Sequence, residues 1–100
     1  MQPLIKDILP QIQQLMRRYG VERAYLFGSA ASANMTVRSD VDFVIRFSAD
    51  MDFKTYGDNY FNLLYALQDL LKREVELVAE ETISNPYLLE SINRNKVSVL

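Results

Sequence analysis

Asp40 and Asp42 are two carboxylates separated by one residue, at the start of the apolar run 41–47. That run is rich in β-branched and aromatic residues and therefore predicts a strand. Because alternate side chains of a strand share a face, the two carboxylates should lie side by side. They would repel each other without a cation, and hard oxygen ligands of this kind suit Mg²⁺ or Mn²⁺. A solvated acidic loop would explain Asp40 but not Asp42, which stands inside the apolar run.

A Gly-Ser turn stands upstream of this pair. Gly28 and Ser29 follow the apolar run 24–27, which predicts a short buried strand. The small residues after Ser29 could begin a helix whose free N–H groups bind an anion. By itself this pattern is typical of any strand-to-helix turn. Combined with the carboxylate pair, it predicts a site for a metal-bound triphosphate.

The arrangement of these residues is similar to a known signature. Gly28-Ser29, nine intervening residues and then Ser39-Asp40-Val41-Asp42 resemble the signature of the nucleotidyltransferase superfamily with a DNA polymerase β-like palm. Within it, nearly the whole chain resembles the minimal nucleotidyltransferases, small proteins of about this length. The resemblance implies that Gly28, Ser29 and Ser39 bind the nucleotide. It also implies that Asp40 and Asp42 bind divalent metal, Mg²⁺ or Mn²⁺, with ATP as substrate.

Two positions depart from the family pattern. The family commonly continues Gly-Ser-x-Ala-Arg-Gly, and this chain has Ser32 and Ala33 where Arg and Gly would stand. Serine cannot supply the planar cation of arginine. The third carboxylate of the family is usually Asp, and the matching position in the predicted strand 74–79 is Glu76. The resemblance makes Glu76 a third metal ligand or proton acceptor, whereas the residue alone could equally be a charge that protects an edge strand.

The resemblance implies both a reaction and a partner. Asp40, Asp42 and Glu76 would form the catalytic set for moving a nucleoside monophosphate, AMP from ATP, to a hydroxyl. Minimal nucleotidyltransferases are commonly paired with helical HEPN-domain toxins as antitoxins, in some cases adding nucleotide to a toxin tyrosine. The rival hypothesis is a catalytically degenerate palm-fold module that neutralises its partner by binding alone. Transfer to a small molecule such as an antibiotic is a third hypothesis, although such enzymes usually carry a second domain.

Length and composition limit the number of domains and exclude several kinds of site. One hundred residues predict a single domain, 1–100. With 11 basic and 13 acidic residues, no strongly basic nucleic-acid face is indicated. The chain has no Cys and no His, which excludes disulfides, Cys/His zinc sites and His-based catalysis. The absence of a leader-like or membrane-length apolar run, together with the absence of Cys, predicts a cytoplasmic location.

Hydrophobic periodicity predicts the elements that position the site. The predicted fold is α/β, with a small mixed sheet of three to four strands, helices packed on one face and the site on the other face or rim. Pro10 either kinks the first helix or begins its regular part. Besides the two strands above, the predicted elements are a helix over 3–19, a loop over 48–57, a helix from about Asp58 to Arg73, the strand 74–79, a helix capped by Asn85-Pro86 and a short edge strand over 96–100.

Three further features of the sequence concern residues outside the predicted carboxylate site. Phe61 and Tyr65 widen the apolar face of the helix over 58–73, which predicts either a broad buried face or a surface for a partner or a homo-oligomer. Asp50 and Asp52 are interpreted as solvated residues of a turn. Arg46 could reach the carboxylate site only from its far end, so charge balance is the favoured interpretation.

Overall fold

The computed structural model describes residues 3–28 and 40–100, so the predicted phosphate-site residues Ser29 and Ser39 lie outside the described part. Within it, four helices and four strands follow one another along the chain. In order they are α1 (Pro3–Asp7), α2 (Leu9–Arg18), β1 (Val21–Phe27), β2 (Val41–Phe47), α3 (Phe53–Leu71), β3 (Val75–Ala79), α4 (Pro86–Asn95) and β4 (Val97–Ser98), with a 3₁₀ turn at Glu80–Thr82.

The strands form one mixed sheet in the order β3-β2-β1-β4. β2 is antiparallel to β1 and parallel to β3, and β4 adds a short antiparallel edge beside β1. The predicted mixed sheet of three to four strands is therefore confirmed. β1 begins three residues earlier than predicted, at Val21, because a bulge between Val21 and Arg23 lets Val21 still pair with Phe47.

The core lies between the sheet and the helices α2 and α3. Odd-numbered residues of β2 face it and are buried, and they include Phe43 and Ile45. Ile12 and Met16 of α2 and Leu63 and Leu67 of α3 complete it, with the apolar residues of both helices at helical spacing. Two helices therefore cover one face of the sheet. The even-numbered residues of β2 must lie on the opposite face.

The predicted first helix is divided in two. Ile8 leaves the helical conformation, with φ −110° and ψ 12°, and separates α1 from α2. Pro10 stands in the first turn of α2, where its missing N–H removes no helical hydrogen bond. Of the two interpretations of Pro10, the structure supports the start of a regular helix. No helix in the described part is long and apolar enough to cross a membrane.

Helix α3 begins at Phe53, five residues before the predicted start, so the predicted loop over 48–57 is wrong in its second half. Asp52 is the reason, because its side chain accepts a hydrogen bond of 2.7 Å from the Thr55 N–H and caps the helix. Asp50 accepts a hydrogen bond from the Ser48 hydroxyl instead. Both carboxylates therefore have local structural partners, in agreement with their interpretation as turn residues.

Helix α4 connects β3 to β4 and lies on the face opposite α3. From β2 to β3 the chain crosses toward one edge of the sheet, and from β3 to β4 it crosses back to the opposite edge. Because parallel crossovers are right-handed, the two connecting helices occupy opposite faces. Two contacts agree: Lys96, after α4, lies over the Tyr25 ring, and Ile92 is buried outside the main core cluster. The sequence predicts this helix, but the prediction that the helices pack on one face holds only for α2 and α3.

Asn85→Ala is expected to lower the free energy of unfolding by about 1 kcal/mol. The Asn85 side chain accepts hydrogen bonds from the N–H groups of Tyr87 (2.9 Å) and Leu88 (3.3 Å) and so caps α4 as predicted. Urea denaturation followed by circular dichroism would measure the change. Asn62→Ala, an exposed position within α3, is the matched control and should change stability by less than about 0.5 kcal/mol.

Candidate active site

Asp42 and Glu76 form a carboxylate pair on neighbouring strands. Asp42 of β2 and Glu76 of β3 are direct partners in the parallel register, so their side chains leave the sheet together on the face opposite the core. Burial, a side-chain hydrogen bond with Glu76, the charge of Glu76 and the charge of Asp40 together raise the pKa of Asp42 to about 6. The two carboxylates therefore repel each other, as is expected of a site built for a cation.

Gly28 brings the turn into contact with this pair. Phe27, the last residue of β1, is paired with Asp42, so the next residue lies beside the Asp42 carboxylate. A Cβ atom placed on Gly28 would lie only 2.9 Å from Asp42 Oδ2. Gly28 also has φ +68°, which side chains with a Cβ atom rarely adopt. The structure thus brings the predicted turn and Asp42 together, and only glycine fits there without strain.

Asp40 lies at the edge of this arrangement. It directly precedes β2 and is exposed, but its charge still contributes to the raised pKa of Asp42. Within residues 3–28 and 40–100, no three acidic or other metal-binding side chains come together as a ready-made metal cluster. In the described residues, Asp42 and Glu76 are therefore direct neighbours. Asp40 is near enough to affect Asp42 by its charge, but the three carboxylates do not form a compact cluster.

The chemistry of the donor set fits Mg²⁺ or Mn²⁺. Mg²⁺ is usually bound by one or two carboxylates together with substrate phosphates and water, and rarely by a cage of protein ligands alone. Asp42 and Glu76 supply hard oxygen atoms next to the turn at Gly28, where the absence of a Cβ atom lets the Asp42 carboxylate lie close to the backbone. The pair therefore suits a metal ion that arrives with a nucleotide.

Arg46 is held away from the carboxylates. Its Nε atom lies 3.5 Å from Glu80 Oε2, at the opposite end of β2 from Asp42. This ion pair agrees with the charge-balance interpretation of Arg46. On the same face of β2 as Asp42, the next residue is Val44. It is only 1% exposed although it lies outside the main core cluster.

Sequence reasoning missed a row of residues that crosses the sheet at the level of the carboxylates. Leu26 pairs with Val97 and Tyr25 with Ser98, so continuing the antiparallel register places Lys96 opposite Phe27. Phe27 in turn pairs with Asp42, and Asp42 with Glu76. The sequence predicts a short edge strand over 96–100, but no local pattern indicates that this strand pairs with β1. The sequence alone therefore does not identify Lys96 as a neighbour of the site.

An apolar cleft lies along the outer edge of β3, next to Glu76. Its volume is about 390 Å³, and its wall includes Tyr60 and Phe61 of α3 and Leu77–Ala79 of β3. The Tyr60 hydroxyl donates a 2.5 Å hydrogen bond to the Leu77 carbonyl on this edge. Phe61 and Tyr65 are 54% and 61% exposed and stack on each other at 6.4 Å. The wide apolar face of α3 is therefore only partly buried, which favours the interpretation as a surface for another molecule.

Comparison with known proteins identifies the family. A family model described as "Polymerase beta, Nucleotidyltransferase" matches residues 10–100. A protein of Methanocaldococcus jannaschii named "Putative protein adenylyltransferase MJ0128" is 34% identical over 96 residues, which cover 95% of this chain and 94% of that protein. A second protein of that organism, with a name of the same form, is 30% identical over 96 residues and shares the same coverage.

Solved structures support the same assignment. A structure described as a "putative minimal nucleotidyltransferase" is 26% identical, covers 93% of this chain and 90% of its own, and superposes with a TM-score of 0.76. A tri-AMPylated Shewanella oneidensis HEPN toxin in complex with its MNT antitoxin matches with a TM-score of 0.67 at 18% identity, over 95% and 71% of the two chains. At that identity, the second match shows the fold alone. The resemblance drawn from the residues is confirmed, and the chain belongs to the polymerase β nucleotidyltransferase family.

Proposed function

We propose that this protein transfers AMP from ATP to a hydroxyl group of a protein partner. The observation that carries the proposal is the contact of Gly28 with Asp42 and the pairing of Asp42 with Glu76. This arrangement combines a glycine turn at the end of a strand with a pair of carboxylates that repel each other without a cation. The adenylyltransferase names of the relatives support AMP as the transferred group.

Each residue has a defined role in the proposed reaction. Gly28, with Ser29 and Ser39 from outside the described part, would bind the nucleotide phosphates. Asp40, Asp42 and Glu76 would hold one or two Mg²⁺ or Mn²⁺ ions with the triphosphate. When bound, the metal would neutralise phosphate charge and acidify the acceptor hydroxyl.

The transfer itself is an in-line substitution at the α-phosphorus. The acceptor oxygen forms a bond to the α-phosphorus, and the bond from that phosphorus to the bridging oxygen breaks and releases pyrophosphate. The hydroxyl proton passes to Glu76 or to water. Glu76 lies on β3, beside the apolar cleft, so an acceptor side chain could approach it from the open edge of the sheet.

The proposed partner is a helical HEPN-type protein, with this chain as its antitoxin. The matched structure of an AMPylated HEPN toxin with an MNT antitoxin supports this choice, and a tyrosine of the partner is the proposed acceptor. Phe61 and Tyr65 supply an exposed aromatic surface near the cleft, and aromatic residues are enriched in the centres of protein interfaces. A cytoplasmic location and a role in a toxin–antitoxin pair belong to the same proposal.

A second candidate function is neutralisation by contact alone. Serine at position 32, where the family commonly has arginine, and Glu76 in place of Asp favour this candidate. Against it stands the retained Asp42–Glu76 pair, because two repelling carboxylates raise the free energy of a module that only binds.

Transfer of label from ATP distinguishes the two functions. The chain and a co-purified helical partner are incubated with Mg²⁺ and ATP labelled at either the α- or the γ-phosphate. We expect the partner to acquire the α-label and the mass of one AMP at a tyrosine, and Asp42→Asn to prevent both. If the chain neutralised the partner without any label, the contact-only module would be correct. Incorporation of the γ-label would contradict nucleotidyl transfer.

A further inference from the structure

We propose that Lys96 binds the phosphate tail of the nucleotide and supplies positive charge to this site. The inference rests on the proposed function, since it concerns the same nucleotide site. Lys96 is the residue that directly follows α4, and no family pattern in the sequence points to it. Its assignment comes from the register of the sheet and from the side-chain contacts of the lysine.

The register places Lys96 level with the carboxylates. Extending the β1–β4 register by one residue beyond Val97 places Lys96 opposite Phe27, and Phe27 pairs with Asp42. Two strand spacings then separate the backbone of Lys96 from that of Asp42. Neighbouring strands are about 4.8 Å apart, which makes this separation about 10 Å. A lysine side chain extends about 6 Å from its Cα atom, and phosphate groups in contact with Gly28 would occupy the space between. The ammonium group can therefore reach a triphosphate bound at the turn.

The Lys96 side chain is held on the face of the sheet that carries Asp42 and Glu76. Its Nζ atom lies 4.1 Å from the centre of the Tyr25 ring and donates a hydrogen bond of 3.1 Å to Asn93 Oδ1. Tyr25 pairs with Val44, and Val44 is two residues from Asp42 along β2, so the Tyr25 ring lies on the carboxylate face. The cation–π contact thus holds the ammonium group over β1, on the face of the sheet that carries Asp42.

The charges of the site explain why a cation is needed. Asp40, Asp42 and Glu76 are acidic, and a triphosphate adds further negative charge that one or two divalent ions neutralise only in part. Arg46 is held by Glu80 at the other end of β2. Serine at position 32 offers no charge where the family commonly has arginine. Lys96 approaches from a different element, the end of α4, and can provide a positive charge to the phosphate.

The test compares ligands that carry the phosphate tail. Calorimetry measures the binding of Mg²⁺-ATP and Mg²⁺-pyrophosphate to the wild type, Lys96→Met, Lys96→Gln and Lys96→Arg. Lys54→Met is the matched control, because Lys54 is an exposed lysine in the first turn of α3, on the other face of the sheet. We expect Lys96→Met and Lys96→Gln to bind both ligands about 10- to 100-fold more weakly, and Lys96→Arg and Lys54→Met to stay within about threefold of wild type.

The result separates failure of this inference from failure of the proposed function. If wild type binds Mg²⁺-ATP and the folded Lys96→Met or Lys96→Gln protein binds both ligands as tightly as Lys54→Met, Lys96 has no role at the phosphates. Circular dichroism and thermal melting establish which variants are folded, and two neutral substitutions are used so that one folded variant suffices. If wild type binds neither ligand, the proposed nucleotide site itself is wrong and the inference fails with it.

Discussion

Asp42→Asn is expected to abolish nucleotidyl transfer while making the metal-free protein more stable. The amide keeps the shape of the carboxylate but loses the charge that holds a divalent cation against the phosphates. Metal stabilisation of transition-state charge amounts to several kcal/mol, so we expect transfer to fall by about 10³-fold or more. Transfer of the α-label to the partner measures this loss. Asp58→Asn, at an exposed position of α3, should leave the rate unchanged.

The gain in stability depends on pH in a direction that follows from the pKa of Asp42. Folding raises this pKa from 3.8 to about 6, so the folded protein binds the proton more tightly than the unfolded chain does. The contribution of Asp42 to stability is therefore fully present below about pH 4 and is lost as the pH rises through 6. Because Asp42 is only partly buried, solvent screening reduces the loss to about 1 kcal/mol.

The measurement is the melting temperature of the metal-free wild type and Asp42→Asn across this pH range. At pH 8 the variant should melt about 4–8 °C higher, and the difference should vanish at pH 4, where the wild-type carboxyl is protonated. Asp58→Asn should show no such pH-dependent difference. A variant that is less stable than wild type at pH 8 would show that the Asp42 carboxylate is stabilised by the fold, and the interpretation as a destabilised cation site would be wrong.

Gly28→Ala is expected to impair both the site and the fold. The new Cβ atom would lie 2.9 Å from Asp42 Oδ2 and would require φ +68°, so either the turn or the carboxylate must move. We expect a loss of about 1–2 kcal/mol in the free energy of unfolding. A displacement of about 1 Å at the reacting groups can cost about 100-fold in rate, so transfer should fall by that order.

Gly57→Ala is the matched control, because it is the same substitution in a different environment. Gly57 lies within α3, and no atom other than those of its chain neighbours and the adjoining helix backbone lies within 4 Å of the position its Cβ would take. Alanine there should stabilise the protein by about 0.5–1 kcal/mol through its helix propensity. Urea denaturation of the two variants should show stability changes of opposite sign, and the label-transfer assay is applied to Gly28→Ala. Full activity of Gly28→Ala would contradict the placement of the phosphate at this turn.

The sequence was sufficient to predict the residues of the site whose local pattern carries chemistry. Asp42 inside an apolar strand and Gly28 at the end of another could be recognised without the fold, because each is unusual in its surroundings. The mixed α/β sheet was also predicted correctly, since alternating β-branched residues and helical apolar spacing differ clearly. The roles of these residues in catalysis stay predictions.

Other features depended on contacts that no local pattern reveals. The apolar stripe predicts the helix only from Asp58, whereas the hydrogen bond that Asp52 accepts from the Thr55 N–H extends α3 to Phe53. Lys96 was missed because its neighbours at the site come from β1 and β2, through a register that pairs residues about seventy positions apart. Local periodicity contains no information on such pairing.

Calorimetric titration of ATP with Mg²⁺ measures whether the Gly28 turn and the Asp42–Glu76 pair bind a metal–nucleotide complex. The titration is performed on wild type and on Asp42→Asn, with circular dichroism showing that both are folded, and again on the complex with a helical partner. We predict Mg²⁺-dependent binding to wild type that is lost in Asp42→Asn. Equal binding by both proteins, or no binding by wild type either alone or in the complex, would show that Asp42 and Glu76 do not form a metal–nucleotide site.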